Sequence, residues 1–109
     1  MRIHCIFEPD SPERLCTLGL SAERSGFDSV WLPNMLSARD PFLALAKLAC
    51  ASQTIRMGPV AISPFELHPL KIANAVATLN EFSDGRGMVV IGGGGEWPGV
   101  LQKPYGKRV

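Results

Sequence analysis

The stretch AERSGFDSVWLP, residues 22–33, decides the fold class of this chain. It contains the end of an amphipathic helix, with Gly26 placed to terminate it, and then the β-rich segment Ser29–Pro33, which is too short for a helix. Asp40 and Pro41 follow as a capping residue and a first-turn proline, which together predict the start of another helix. Strands and helices therefore alternate along the chain.

The same alternation continues on both sides of this stretch. The hydrophobic pattern predicts three further strands, at 2–8, 55–63 and 88–91. It predicts three helices, one that ends near residue 25 and two that cover 42–51 and 69–82. Strands that alternate with helices of this length pair in parallel through right-handed crossovers, so the predicted class is α/β, β-α-β-α-β-α-β with four parallel strands. The pattern alone leaves open whether the sheet closes into a barrel. The dipeptide Gly58-Pro59 predicts a bulge or unusual peptide geometry in the third strand.

Composition restricts the class of protein. The 109 residues are 46% hydrophobic and 19% charged with a net charge of +1, which is typical of a globular protein and gives no sign of nucleic-acid binding. No apolar run reaches membrane-spanning length and the N-terminus has no apolar signal core, so we expect a cytoplasmic location. Cys5, Cys16 and Cys50 lack disulfide or metal-site spacing, and we expect reduced, buried thiols.

In a parallel α/β protein, ligands bind beyond the C-terminal ends of the strands. That rule selects Glu8, Asn34, Met35, residues 61–63 and residues 94–96. The four glycines at 92–95 would let the backbone approach a ligand and direct N–H groups at it, although a flexible turn is the alternative. No Lys-Ser/Thr follows them and their spacing is not GxGxxG, which excludes a P-loop and the dinucleotide fingerprint.

The titratable side chains near these ends have ordinary alternatives. Glu96 could bind a cofactor hydroxyl or stabilise developing charge, but a solvated loop carboxylate is the simpler interpretation. His68 precedes a helical proline, where a structural function at the helix N-terminus is favoured over catalysis. His4 is interpreted as a satisfied histidine in a barrel interior or an interface. There is no Ser/His/Asp set, HExxH motif or cysteine pair, so nothing supports a hydrolase or a metal site.

Four segments in order carry a family resemblance. They are residues 22–33, residues 40–46, residues 55–58 through 63–69, and residues 77–86. Together they resemble luciferase-like monooxygenases over essentially the whole chain. Within that superfamily the chain looks most similar to the deazaflavin branch of methylenetetrahydromethanopterin reductase, which uses coenzyme F420, and the flavin mononucleotide (FMN) branch is the alternative.

The resemblance implies an oxidoreductase built on a (β/α)₈ barrel, with hydride transfer between the cofactor at the strand ends and a small organic substrate. Residues 1–109 would be the N-terminal portion of that single barrel domain. The family's non-prolyl cis peptide in strand three corresponds to Val60–Ala61, the glycine loop to Gly94 and Gly95, and an acidic residue near the ring to Glu96. The cofactor-binding residues predicted in this way are Asn34, Val60, Ala61, Ser63, Gly94, Gly95 and Glu96.

Two departures from the family pattern limit what can be carried over. Many relatives have an Asp-His pair after strand two, whereas this chain has Asn34-Met35, and Met35 cannot exchange a catalytic proton. The catalytic residue and the substrate are therefore left unassigned. The 109 residues are also far fewer than the roughly 250 of a complete barrel, so we expect a fragment that is inactive alone. The alternatives are a small flavin- or nucleotide-binding α/β module and a half-barrel subunit completed in a homo- or hetero-oligomer.

Overall fold

Residues 1–35 and 38–94 are described by a computed structural model. The elements in chain order are β1 (His4–Ile6), α1 (Pro12–Arg24), β2 (Ser29–Pro33), α2 (Pro41–Ala51), β3 (Arg56–Ile62), α3 (Pro69–Ser83) and β4 (Val90–Ile91). The four strands form one sheet in the order β1-β2-β3-β4, and every neighbouring pair is parallel. The predicted α/β class and the β-α-β-α-β-α-β order are confirmed.

Each helix begins with a side-chain cap followed by proline. A capping side chain accepts a hydrogen bond from a first-turn amide, which would otherwise have no partner within the helix. The cap and donor pairs are Ser11 with Arg14 (3.1 Å), Asp40 with Leu43 (2.9 Å) and His68 with Leu70 (3.1 Å). The predicted structural function of His68 at the start of α3 is therefore confirmed.

All three helices lie on one face of the sheet, as right-handed crossovers between consecutive strands require. The core between helices and sheet includes Leu15, Val30, Leu45, Leu48 and Met57, all fully buried. Helices α1 and α2 approach so closely at Gly19 that a β-carbon there would overlap the side chain of Leu48. This layer fixes the positions of the strand ends.

Helix α2 is apolar nearly all round, but it is not enclosed on every side. It packs between α1 and α3, and Phe42, Ala44 and Leu45 are buried as expected for an apolar helix. Leu43, however, is 77% exposed, and Cys50 is exposed too. The expectation of a buried thiol is wrong for Cys50 because it lies on the side of α2 that faces away from the sheet. Within the described ranges, no helix is both long and apolar enough to cross a membrane.

The sheet face opposite the helices is open in the part of the chain that the structure describes. Cys5 points toward the helices, and its neighbours His4 and Ile6 point to the other face, where Ile6 is 64% exposed. His4 bonds to Ser29 there, with 2.6 Å between Nδ1 and Oγ. Strand β1 is therefore buried on one face only, because helices cover only one of its faces. At the other edge of the sheet, β4 is also exposed.

Strand β3 is irregular near its C-terminal end. The Val60–Ala61 peptide bond is cis, and the pairing with β4 shifts register between Val60 and Ile62. The cis peptide that the resemblance implies at Val60–Ala61 is confirmed. The irregularity predicted from Gly58-Pro59 falls just after that dipeptide, which lies inside the regular pairing with β2. Gly58 has a different function: a β-carbon there would overlap the backbone carbonyl oxygen of Met88, so β4 can approach only a glycine.

Arg86 joins three elements near the start of β3. Its guanidinium donates to backbone oxygens of Ser83 (2.6 Å), Ile55 (2.7 Å), Ala49 (3.0 Å) and Ser52 (2.9 Å), and to the Ser52 hydroxyl (2.6 Å). The carbonyl groups at the ends of α2 and α3, which have no partner within their helices, thereby share one cation.

Glu23, near the end of α1, holds the loop between α2 and β3. Its Oε2 accepts backbone hydrogen bonds from Gln53 (3.0 Å), Thr54 (2.8 Å) and Ile55 (2.8 Å). Partial burial acts to raise the pKa of this carboxyl group, but the hydrogen bonds from Ile55, Thr54 and Gln53 outweigh it and the pKa lies below its ordinary value.

Candidate functional site

The candidate site lies at the C-terminal ends of β2, β3 and β4. Because these strands are parallel neighbours, the residues that follow them meet at one edge of the sheet. We call this the strand-end site and define it by Asn34, Val60, Ala61, Glu66 and residues 92–94. Five of the seven residues predicted to bind a cofactor are described, and the chain brings them together: Asn34, Val60, Ala61 and Gly94 belong to this site, and Ser63 lies in the loop that carries Glu66.

Asn34 connects the end of β2 to the irregular part of β3. Its backbone N–H donates to Val60 O (3.3 Å) and its side-chain Nδ2 donates to Ala61 O (3.3 Å). One residue thus holds two successive carbonyl groups, the first of which belongs to the cis peptide bond. Its side chain is half-buried, so part of the amide faces solvent.

Glu66, in the loop between β3 and α3, completes the surroundings of Asn34. Its Oε1 accepts hydrogen bonds from Asn34 Nδ2 and from the backbone N–H of Ser63 (3.4 Å). Its other oxygen, Oε2, is buried and has no hydrogen-bond partner among residues 1–35 and 38–94. A buried carboxylate oxygen is costly unless a donor reaches it, so this atom is a place for a ligand donor.

Ser63 shapes the loop that carries Glu66. It is 1% exposed, its hydroxyl accepts from Phe65 N (3.1 Å), and its carbonyl accepts from Glu66 N and Leu67 N (3.1 Å each). The sequence rule that selects strand-end residues stopped at Ser63 and so missed Glu66. The available signal was a carboxylate in a short loop between two prolines, directly after a strand end.

The glycine segment forms the third side of the site. Gly92 N donates to Ile62 O (2.9 Å), and a β-carbon on Gly92 would come within 3.1 Å of the Ala61 β-carbon. A β-carbon on Gly93 would meet only open space, and Gly94 has φ of +93°, a conformation that favours glycine. The segment therefore leaves an unobstructed backbone surface beside β3. Gly95 and Glu96 lie outside the described residues, so their predicted contacts stay predictions.

A family comparison identifies the chain. The model of the luciferase-like monooxygenase family matches residues 5–106. The chain belongs to this family. Three curated relatives of this luciferase-like chain are 5,10-methylenetetrahydromethanopterin reductases. The protein of Archaeoglobus fulgidus is 38% identical over 67% of the chain, that of Methanolobus tindarius 30% over 81%, and that of Methanopyrus kandleri 31% over 78%.

Solved structures agree with that family. The coenzyme F420 dependent tetrahydromethanopterin reductase from Methanopyrus kandleri superposes on 95% of the luciferase-like chain with a TM-score of 0.87 and 26% identity. The oxygenating constituent of 3,6-diketocamphane monooxygenase from Pseudomonas putida, in complex with FMN, superposes on 86% with a TM-score of 0.76 and 24% identity. The second likeness shows the fold alone. The four strands of this chain are thus part of a luciferase-like (β/α)₈ barrel.

The luciferase-like chain spans only part of the proteins that it matches. It covers 22% to 27% of the curated reductases and 30% of each of these two solved chains. Residues 5–106, which the family model matches, contain the strand-end site. The activity of a whole relative therefore belongs to this chain only as a proposal.

Proposed function

We propose that the strand-end site binds the ring system of coenzyme F420, with FMN as the alternative, and that the chain is part of an oxidoreductase. In this proposal hydride passes between the cofactor and a small organic substrate. The observation that carries it is the convergence of Asn34, the Val60–Ala61 segment and the glycine backbone at three adjacent strand ends. Coenzyme F420 is favoured over FMN for two reasons. The curated relatives are methylenetetrahydromethanopterin reductases, and a related solved structure is a coenzyme F420 dependent reductase.

The residues of the site fit a planar cofactor of this kind. Residues 92–94 carry no side chains, so a flat ring can lie against their backbone. Glu66 Oε2 is a buried acceptor without a described partner, and a (deaza)flavin carries N–H and hydroxyl donors. When bound, the cofactor supplies the hydride chemistry, and the protein supplies orientation and electrostatics.

Each predicted residue has a distinct proposed function in this site. Val60 and Ala61 support the ring from the side of β3, while Ser63 acts indirectly by shaping the loop that carries Glu66. Gly94 and Gly95 would offer backbone N–H groups, and Glu96 would accept from the cofactor near the ring. Met35 is 50% exposed beside Asn34 but has no exchangeable proton, so we assign no proton donor in this chain.

We further propose that residues 1–109 act as part of one barrel domain whose remaining strands cover the open sheet face. Ile6, 64% exposed on that face, is an apolar side chain that such strands would bury. The remaining strands could belong to the same polypeptide or to a second one in an oligomer. Either arrangement places the site at the mouth of a completed barrel.

Nuclear magnetic resonance of the ¹⁵N-labelled chain tests the site directly. We expect coenzyme F420, or FMN, to shift the Asn34 side-chain amide and the amides of residues 92–94 in a saturable way, even if one wall of a barrel binds weakly. Adenosine monophosphate, which lacks the tricyclic ring, should leave these signals unchanged. A folded chain that responds to neither flavin, or responds away from the strand ends, contradicts the proposal. A response to the nucleotide alone would instead support the nucleotide-binding module.

A further inference from the structure

The orientation of the Asn34 amide is fixed by the chemistry of its partners. A side-chain amide donates through nitrogen and accepts through oxygen. Both side-chain partners of Asn34, the Ala61 carbonyl and the Glu66 carboxylate, can only accept. The NH₂ group must therefore face the protein, and Oδ1 is the atom left for a ligand.

Glu66 contributes more to this orientation than Ala61 does. The bond to Ala61 O is long at 3.3 Å, and one such bond holds a terminal amide rotation weakly. With Glu66 in place, a flipped amide would set Oδ1 against a carboxylate oxygen, which is repulsive. Glu66 is itself restrained by the Ser63 N–H (3.4 Å) and by the Ser63-based turn of its loop.

Two side-chain oxygens of the strand-end site have no described hydrogen-bond donor, and both are acceptors. They are Asn34 Oδ1 and the buried Glu66 Oε2. We propose that Glu66 is a positioning residue that turns the Asn34 amide, so that this edge of the strand-end site selects a ligand group that donates hydrogen bonds. Glu66 orients the Asn34 amide in the chain without any ligand. The identity of the donor group, a ring N–H or hydroxyl of a (deaza)flavin, rests on the proposed function.

The first measurement needs no ligand. In the wild-type chain we expect the Asn34 NH₂ signals to exchange slowly with solvent, because both hydrogens are bonded. Glu66→Ala should speed that exchange several-fold, and Glu66→Gln, which keeps an acceptor oxygen, should restore the protection. Glu81→Ala, at an exposed position on α3, is the matched control and should have no effect. Unchanged exchange in a folded Glu66→Ala chain would overturn the positioning.

The second measurement is a double-mutant cycle on binding of F420 and FMN. Glu66→Ala should weaken binding about tenfold, the usual effect of losing one well-placed hydrogen bond. In an Asn34→Ala background the same change should have a smaller effect, because Glu66 then has no amide to position and only its own Oε2 contact with the ligand is lost. Equal effects in both backgrounds would show that Glu66 acts on binding without Asn34, through the loop or its own ligand contact, and would overturn the inference. Absence of binding by the wild-type chain would overturn the proposed function, while the exchange result would still decide the positioning. If Glu66→Ala does not fold, Glu66→Gln and Asn34→Ala supply the comparison.

Discussion

At the scale of single residues, Gly58 is the position where the fold tolerates least change. A β-carbon there would overlap the Met88 carbonyl oxygen, which is backbone and cannot move aside without displacing β4. We expect Gly58→Ala to lower the free energy of unfolding by about 2–3 kcal/mol, as overpacking of a closed site does. Urea unfolding followed by circular dichroism measures the change.

Gly93→Ala is the matched control for Gly58, because a β-carbon at Gly93 meets open space. We expect it to change the free energy of unfolding by no more than about 0.5 kcal/mol. Equal losses in the two variants would show that the intrinsic cost of replacing glycine, and not the contact with Met88, sets the effect.

The sequence predicted Asn34 as a site residue but could not predict that Glu66 bonds to it, for a physical reason. Asn34 follows a strand end, and strand ends can be located from local hydrophobic patterns. The bond between Asn34 and Glu66 joins residues 32 apart in sequence, and it depends on the turn that Ser63 makes after β3. Nothing in the local pattern around either residue contains that pairing.

At the scale of secondary-structure elements, Arg86 stabilises the junction of α2, β3 and α3. Its planar guanidinium reaches five acceptors, a geometry that a lysine ammonium cannot reproduce. We expect Arg86→Lys to lower the free energy of unfolding by about 2 kcal/mol, because buried carbonyl groups lose their donors. Arg56→Lys, at an exposed position, should change it little. Equivalent urea unfolding curves for the two variants would contradict this function of Arg86.

Glu23 makes a second junction between elements dependent on pH. The folded-state pKa of its carboxyl group is depressed below 4.5, so the stability that its ionised form contributes is present above about pH 4.5 and is lost as pH falls through the folded value. We expect the wild-type chain to be more stable than Glu23→Gln at neutral pH, with the difference shrinking on acidification. Urea unfolding from pH 7 to about pH 3 measures it, with Glu81→Gln as the exposed control. A difference that stays constant over this range would contradict a contribution from ionised Glu23.

The elements themselves were largely predictable because their signals are local. Proline and a capping residue begin each helix, and glycine or a left-handed Asp84 ends α1 and α3. Burial of the outer strands was not predictable, because an apolar run such as that of β1 looks the same whether one face or both are covered. The apolar run predicts that β1 is a strand. Only the arrangement of the helices on one side of the sheet shows that Ile6 lies on the open face.

At the scale of the whole molecule, the described residues leave the sheet face opposite the helices open. Helices α1, α2 and α3 all cover the other face, and β1 and β4 are the edges of the described sheet. In a (β/α)₈ barrel both edges pair with further strands, and the inner face is filled by side chains of all eight strands. A chain with this face uncovered should therefore associate through it.

Ile6 and Leu43 distinguish association through the sheet face from association through the helices. Ile6 is 64% exposed on the open face, and Leu43 is 77% exposed beside the groove between α2 and α3. We expect Ile6→Ser to shift the sedimentation behaviour of the chain toward monomer while leaving the free energy of unfolding of the monomer within about 0.5 kcal/mol, because the side chain contributes little to the core. Leu43→Ser should leave the association unchanged. The reverse result would assign the contact to the helical groove, and a wild-type chain that stays monomeric at every concentration would exclude completion of the barrel by a second copy.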